Sequence, residues 1–80
     1  MMFAEITELL ASKAPGQIDG QKVAEVSQQD GVKYIMADDS WLLIRPSGTE
    51  PVLRVYVEGR TSEMVRGLME YGQKVAESVS

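Results

Sequence analysis

The 80-residue chain contains no cysteine and no histidine. The first absence excludes a disulfide framework and thiolate chemistry. The second removes the commonest general base and the commonest metal ligand. No apolar run approaches the roughly 20 residues that a membrane-spanning helix needs. The first ten residues carry Glu5 and Glu8 and no basic residue, which is not the pattern of a signal peptide. Basic residues are also few: 8 Lys and Arg stand against 12 Asp and Glu, giving a formal net charge of −4. Nucleic-acid binders are normally basic, so that class is disfavoured. There is no internal repeat and no low-complexity tract.

What is present suffices for one small folded domain. Hydrophobic residues make up 44% of the chain, above the level at which disorder is expected. Residues 2–13 read as a helix, with Phe3, Ile6, Leu9 and Leu10 at three- and four-residue spacing and Ala14-Pro15-Gly16 ending it. Residues 22–58 read as four strands, 22–27, 32–37, 41–45 and 52–58, rich in Val, Ile, Leu, Tyr and Trp. Their connections are two to six residues long. A parallel crossover needs about a dozen, so the strands pair antiparallel. In the last of them Leu53, Val55 and Val57 share one face, while Val52, Arg54, Tyr56 and Glu58 share the other. That alternation predicts a sheet with one covered face and one partly open face. Residues 61–79 read as a second helix, capped by Thr61 or Ser62, with an apolar stripe of Met64, Val65, Leu68, Tyr71, Val75 and Val79. Gly67 and Gly72 weaken this helix by roughly 1 kcal/mol each, and close packing at Gly72 is a reason to retain it. The expected fold is α+β: a four-stranded antiparallel sheet with two helices packed on one face.

One segment concentrates chemistry. Ile44-Arg45-Pro46-Ser47-Gly48-Thr49-Glu50-Pro51, followed by Arg54, links two apolar strands. The Ser47 and Thr49 hydroxyls can donate to phosphate oxygens. The Gly48 N–H can approach an anion closely, and successive turn N–H groups can form an anion nest. Arg45 can offer a planar two-pronged fork to the same oxygens. Glu50 can hold an arginine or accept from a hydroxyl. The same residue types also make an ordinary hairpin turn. Ser47 has no histidine to serve as its base, so a nucleophilic role is disfavoured. Elsewhere Trp41 reads as core or as packing against a helix, and Tyr56 as a neighbour of a ligand or as packing. Asp38-Asp39 reads as a solvated turn rather than a cation site.

The run from Trp41 to Glu58, WLLIRPSGTEPVLRVYVE, closely resembles the C-terminal domain of the α-D-phosphohexomutases, the phosphoglucomutase/phosphomannomutase superfamily. Ile18-Asp19-Gly20 and Asp30-Gly31-Val32-Lys33-Tyr34 resemble the segments that lead into it. The resemblance implies the fourth domain of a four-domain enzyme, with a fold like that of the TATA-box-binding protein. It implies a parent isomerase of carbohydrate metabolism, an intramolecular phosphotransferase acting on hexose phosphates through a bisphosphate intermediate, with Mg²⁺ bound outside this chain. By the same resemblance Arg45, Ser47, Gly48 and Thr49 grip the phosphate that is not reacting, with Glu50 and Arg54 in support. The family's catalytic serine segment, aspartate metal loop and sugar-reading loop are all absent. The expectation is therefore a part of a longer cytoplasmic enzyme, inactive alone. Its partners would be a hexose phosphate and three further domains, with no nucleic acid and no membrane. The alternative is a stand-alone module that binds phosphate esters without catalysis.

Overall fold

The computed structural model describes residues 3–29, 31–47 and 52–79. Helix α1 (Phe3–Ser12) is followed by strands β1 (Gln17–Ile18), β2 (Gln21–Ser27), β3 (Val32–Met36), β4 (Trp41–Pro46) and β5 (Leu53–Glu58), and then by helix α2 (Ser62–Val79). The strands form one antiparallel sheet in the order β1-β2-β3-β4-β5, so each pairs with its neighbour in sequence. The α+β class and the antiparallel sheet agree with the sequence reading. The strand count is five rather than four.

The additional strand is β1, paired with β2 through Ile18↔Gln21. Its turn is Asp19-Gly20, both left-handed at φ 51° and 85°. A two-residue loop of this kind matches the right-handed twist of the flanking strands, and Asp-Gly suits it. A strand of two residues carries no alternation to detect. In β2 the register shifts between Val23 and Glu25. This bulge lets Val23 and Val26, three residues apart, both turn towards the helices.

The core lies between the sheet and the helices. Val32, Tyr34 and Met36 of β3 and Leu42 and Ile44 of β4 are at most 2% exposed. They pack with Leu10 of α1, Ile18 of β1 and Met64 and Leu68 of α2. Both helices therefore cover one face, as expected. The Tyr34 hydroxyl ties that face to α1 by donating to the Leu10 carbonyl at 2.7 Å. Burial, together with the Tyr71 ring beside it, raises the Tyr34 pKa to about 12.

Helix α2 begins where Thr61 caps it, its Oγ1 accepting from the Met64 N–H at 3.0 Å. The close packing expected at Gly72 is present. A methyl group there would meet Val55 Cγ1 at 2.6 Å and a Leu42 methyl at 2.8 Å, so the helix rests directly on β4 and β5.

Candidate functional site

Strand β4 places its alternate residues on opposite sides. Leu42 and Ile44 enter the core, so Trp41, Leu43 and Arg45 lie on the face that no helix covers. Trp41 is consequently not a core or helix-packing residue, contrary to the sequence reading. It stays half-buried on the open face, where the Lys33 ammonium sits 4.4 Å from its ring centroid.

Arg45 and Arg54 are direct cross-strand partners at the end of the β4–β5 hairpin where the loop begins. Like charges placed opposite one another repel, and an anion between or above them would be favoured. Arg45 is half-buried, and its guanidinium carbon lies 6.0 Å from the Tyr56 ring centroid, within range of a cation–π contact. Arg54 is exposed. Tyr56, assigned by its spacing to the face of Arg54, therefore borders the arginine pair.

Beyond Arg45 the hairpin closes through the Ser47 N–H, which donates to the Val52 carbonyl at 3.0 Å. Ser47 is only 7% exposed, so it sits at the base of the loop. Gly48, Thr49 and Glu50 lie outside the described residues. The structure thus brings Arg45, Arg54 and Ser47 to one end of the sheet.

Sequence reasoning missed the part played by Gly31. This residue ends the β2–β3 turn at φ 93° and lies against the backbone of β4. A methyl group there would overlap the Ile44 carbonyl oxygen and come within 2.7 Å of Arg45 Cβ and 2.9 Å of Arg45 Cα. Only glycine combines that conformation with that approach. Gly31 falls in the connection between two strands in the sequence; that it faces Arg45 follows only from the strand register.

The opposite end of the hairpin is tied internally. Ser40, 1% exposed, accepts from the Arg60 N–H at 3.0 Å, and its own N–H donates to Asp38 Oδ1 at 2.9 Å. The Arg60 side chain donates to the Asp38 carbonyl at 2.9 Å and to Asp39 Oδ2 at 3.2 Å. The Ser40 N–H bond is the main cause holding the Asp38 carboxyl below its ordinary range. Asp38 and Asp39 therefore serve the turn. Among the described residues no three acidic, thiol or imidazole groups come together as a metal site.

The phosphoglucomutase/phosphomannomutase C-terminal domain model matches residues 4–71, which includes the arginine pair and the loop between its members. The chain belongs to that family. Its relatives include a probable phosphoglucosamine mutase of Methanothermobacter thermautotrophicus, 36% identical over 92% of this chain and 16% of that protein. A phosphoglucomutase/phosphomannomutase of Thermococcus kodakarensis is 40% identical over 70% of the chain and 14% of that protein. A phosphoglucosamine mutase of Methanococcus aeolicus is 48% identical over 65% of the chain and 11% of that protein. The chain thus spans a small fraction of the curated relatives it matches. No solved structure matches it. Among the described residues no helix is long and apolar enough to cross a membrane.

Proposed function

We propose that this C-terminal domain grips a phosphate group of a hexose phosphate for a cytoplasmic phosphosugar mutase. The observation that carries this reading is the in-register pair Arg45↔Arg54 at the mouth of the β4–β5 loop. Two guanidinium groups on one face supply the charge. Arg45 supplies a fork suited to two phosphate oxygens. Ser47, Gly48 and Thr49 would complete the grip from the loop.

In such an enzyme the gripped phosphate is the one that does not react. Its binding energy holds the reacting hydroxyl near the phosphoryl donor, converting attraction at a remote group into positioning. A grip that reads only phosphate accepts either end of a bisphosphate sugar, which an interconversion of 1- and 6-phosphates requires. The donor serine, the sugar-reading loop and the Mg²⁺ belong to other parts of the parent protein. Among the described residues no three carboxylate, thiol or imidazole groups come together to hold that cation. On this reading the isolated chain binds but does not turn substrate over.

The test is an amide-shift titration of the ¹⁵N-labelled chain with glucose 1-phosphate, with free glucose as control. Saturable shifts around Arg45, Ser47 and Arg54, specific to the phosphorylated sugar and lost in Arg45→Ala, are the expected result. Equal responses to the two sugars, or a response unchanged in Arg45→Ala, would refute the assignment.

A further inference from the structure

One edge of the sheet is strand β5, which pairs with β4 on one side and with no other strand among the described residues. Its pleat is defined by the Ser47 N–H to Val52 carbonyl bond together with an uninterrupted register. Bonded pairs alternate along an antiparallel ladder, so Val52, Arg54, Tyr56 and Glu58 direct their main-chain groups towards β4. Leu53, Val55 and Val57 direct theirs outward. An outward row of N–H and C=O groups is a template for another strand.

The surroundings of this edge are unusually apolar. Four large hydrophobic side chains are notably exposed among the described residues, and three belong here: Val52 (42%), Tyr56 (40%) and Val65 (39%). Beside the edge, a groove of about 520 Å³ runs between β5 and α2, lined by Leu53, Val55, Met69, Gln73, Ala76 and Glu77.

We propose that β5 pairs antiparallel with β5 of a second copy of this chain, about a two-fold axis at Tyr56. The charges select both partner and register. A ladder must set outward residues opposite one another. With Tyr56 facing Tyr56, Val55 meets Val57 as a bonded pair in both directions, and Arg54 meets Glu58 in both directions as a non-bonded pair. Side chains approach most closely in non-bonded pairs. The next allowed registers set Arg54 or Glu58 against Tyr56. Those beyond set Arg54 against Arg54 or Glu58 against Glu58, which repels. A single register therefore satisfies both charges, and it also uses the central outward groups.

The helices fit the same seam. Helix α2 lies over β4 and β5. With strands about 4.8 Å apart, the two α2 axes across the seam fall about 10 Å apart, near the ordinary helix-packing distance. The Val65, Met69 and Ala76 stripes of the two copies then face each other. The two arginine-flanked loops lie at opposite ends of the joined sheet.

Sedimentation equilibrium of the 80-residue chain, from micromolar to millimolar concentration, tests this. The expected result is a reversible dimer. Glu58→Arg, an exposed change that sets like charges opposite, should raise the dimer dissociation constant by about tenfold or more. The swap Arg54→Glu with Glu58→Arg should restore it to within about threefold of the parent. A parent chain that stays monomeric throughout overturns the proposal and leaves the edge to a different polypeptide segment. A dimer indifferent to Glu58→Arg, or not restored by the swap, overturns the register and with it the proposal. Circular dichroism of each variant separates loss of pairing from loss of fold.

Discussion

The two ends of strand β4 are built from similar materials and used differently. Each end has a buried serine, Ser40 at one and Ser47 at the other, and each has an arginine close by. At the Ser40 end, Arg60 is spent on the turn, its donors going to the Asp38 carbonyl and the Asp39 carboxylate while its backbone N–H reaches Ser40. At the Ser47 end, two arginines stand opposite each other at the mouth of a loop. An arginine near a buried serine is thus part of a structural tie in one place and of a candidate anion grip in the other. What separates them is cross-strand placement: acid beside base closes a turn, and base beside base invites a ligand.

Four changes probe this contrast. The largest effect is expected of Gly31→Ala. It forces a left-handed residue and an overlap with β4 at once, so unfolding free energy should fall by about 3 kcal/mol. Thermal denaturation would show it as a drop of well over 10 °C for a domain of this size, at roughly 4–8 °C per kcal/mol. A drop of a degree or two would mean that Gly31 does not hold the arginine end in place. Ser40→Ala should cost less, about 1 kcal/mol, because it leaves the part-buried Arg60 N–H without its acceptor. The response to glucose 1-phosphate should be unchanged, since the tie is remote from the arginine pair.

Arg60→Ala should be milder again, about 0–1 kcal/mol. Its ion pair with Asp39 is 64% and 79% exposed at the two side chains, and water screens such pairs. Chemical denaturation with and without added salt would show the small loss shrinking further as salt rises. If Arg60→Ala weakened phosphate binding as strongly as Arg45→Ala, the division between the two ends would be wrong.

The remaining effects are read against pH. Tyr34 has its pKa raised from 10.0 to about 12, so the folded state holds its proton more firmly than the unfolded chain. Its contribution is complete below pH 10 and is lost as pH rises towards 12. Phenolate absorbance should show two of the three tyrosines titrating late, Tyr34 and also Tyr71, which burial raises as well, with denaturant midpoints falling over the same interval. Asp38 works in the opposite direction. Its lowered pKa gives stability that is present above the ordinary carboxylate range and lost as pH falls through the lowered value.

How far the sequence revealed this molecule depends on the distance over which each feature is encoded. The helices were legible because their stripes repeat within a turn, and Leu10, Met64 and Leu68 do reach the core. The two-faced sheet was legible from the alternation along β5. Strand β1 was not, since two residues cannot alternate; the Asp19-Gly20 turn was its trace. Trp41 was misplaced because a large aromatic residue suggests burial, whereas the neighbouring Leu42 and Ile44 had already claimed the covered face. At the site, Arg45 and the loop stood out as local composition. The pairing of Arg45 with Arg54, its approach to Tyr56 and its dependence on Gly31 each join residues on different segments, and only the register connects them.

The simple strand order has a consequence for how the chain reaches this state. Every strand pairs with its sequence neighbour, so each hairpin closes a short loop and the associated entropy loss is small. Hairpins of this kind form in microseconds. The pairings that span long stretches of chain are those of the helices: Leu10 with Tyr34, and the Gly72 region with Leu42. Folding should therefore wait on helix docking rather than on strand assembly. A unit organised in this way can complete its sheet from contacts between neighbouring segments alone.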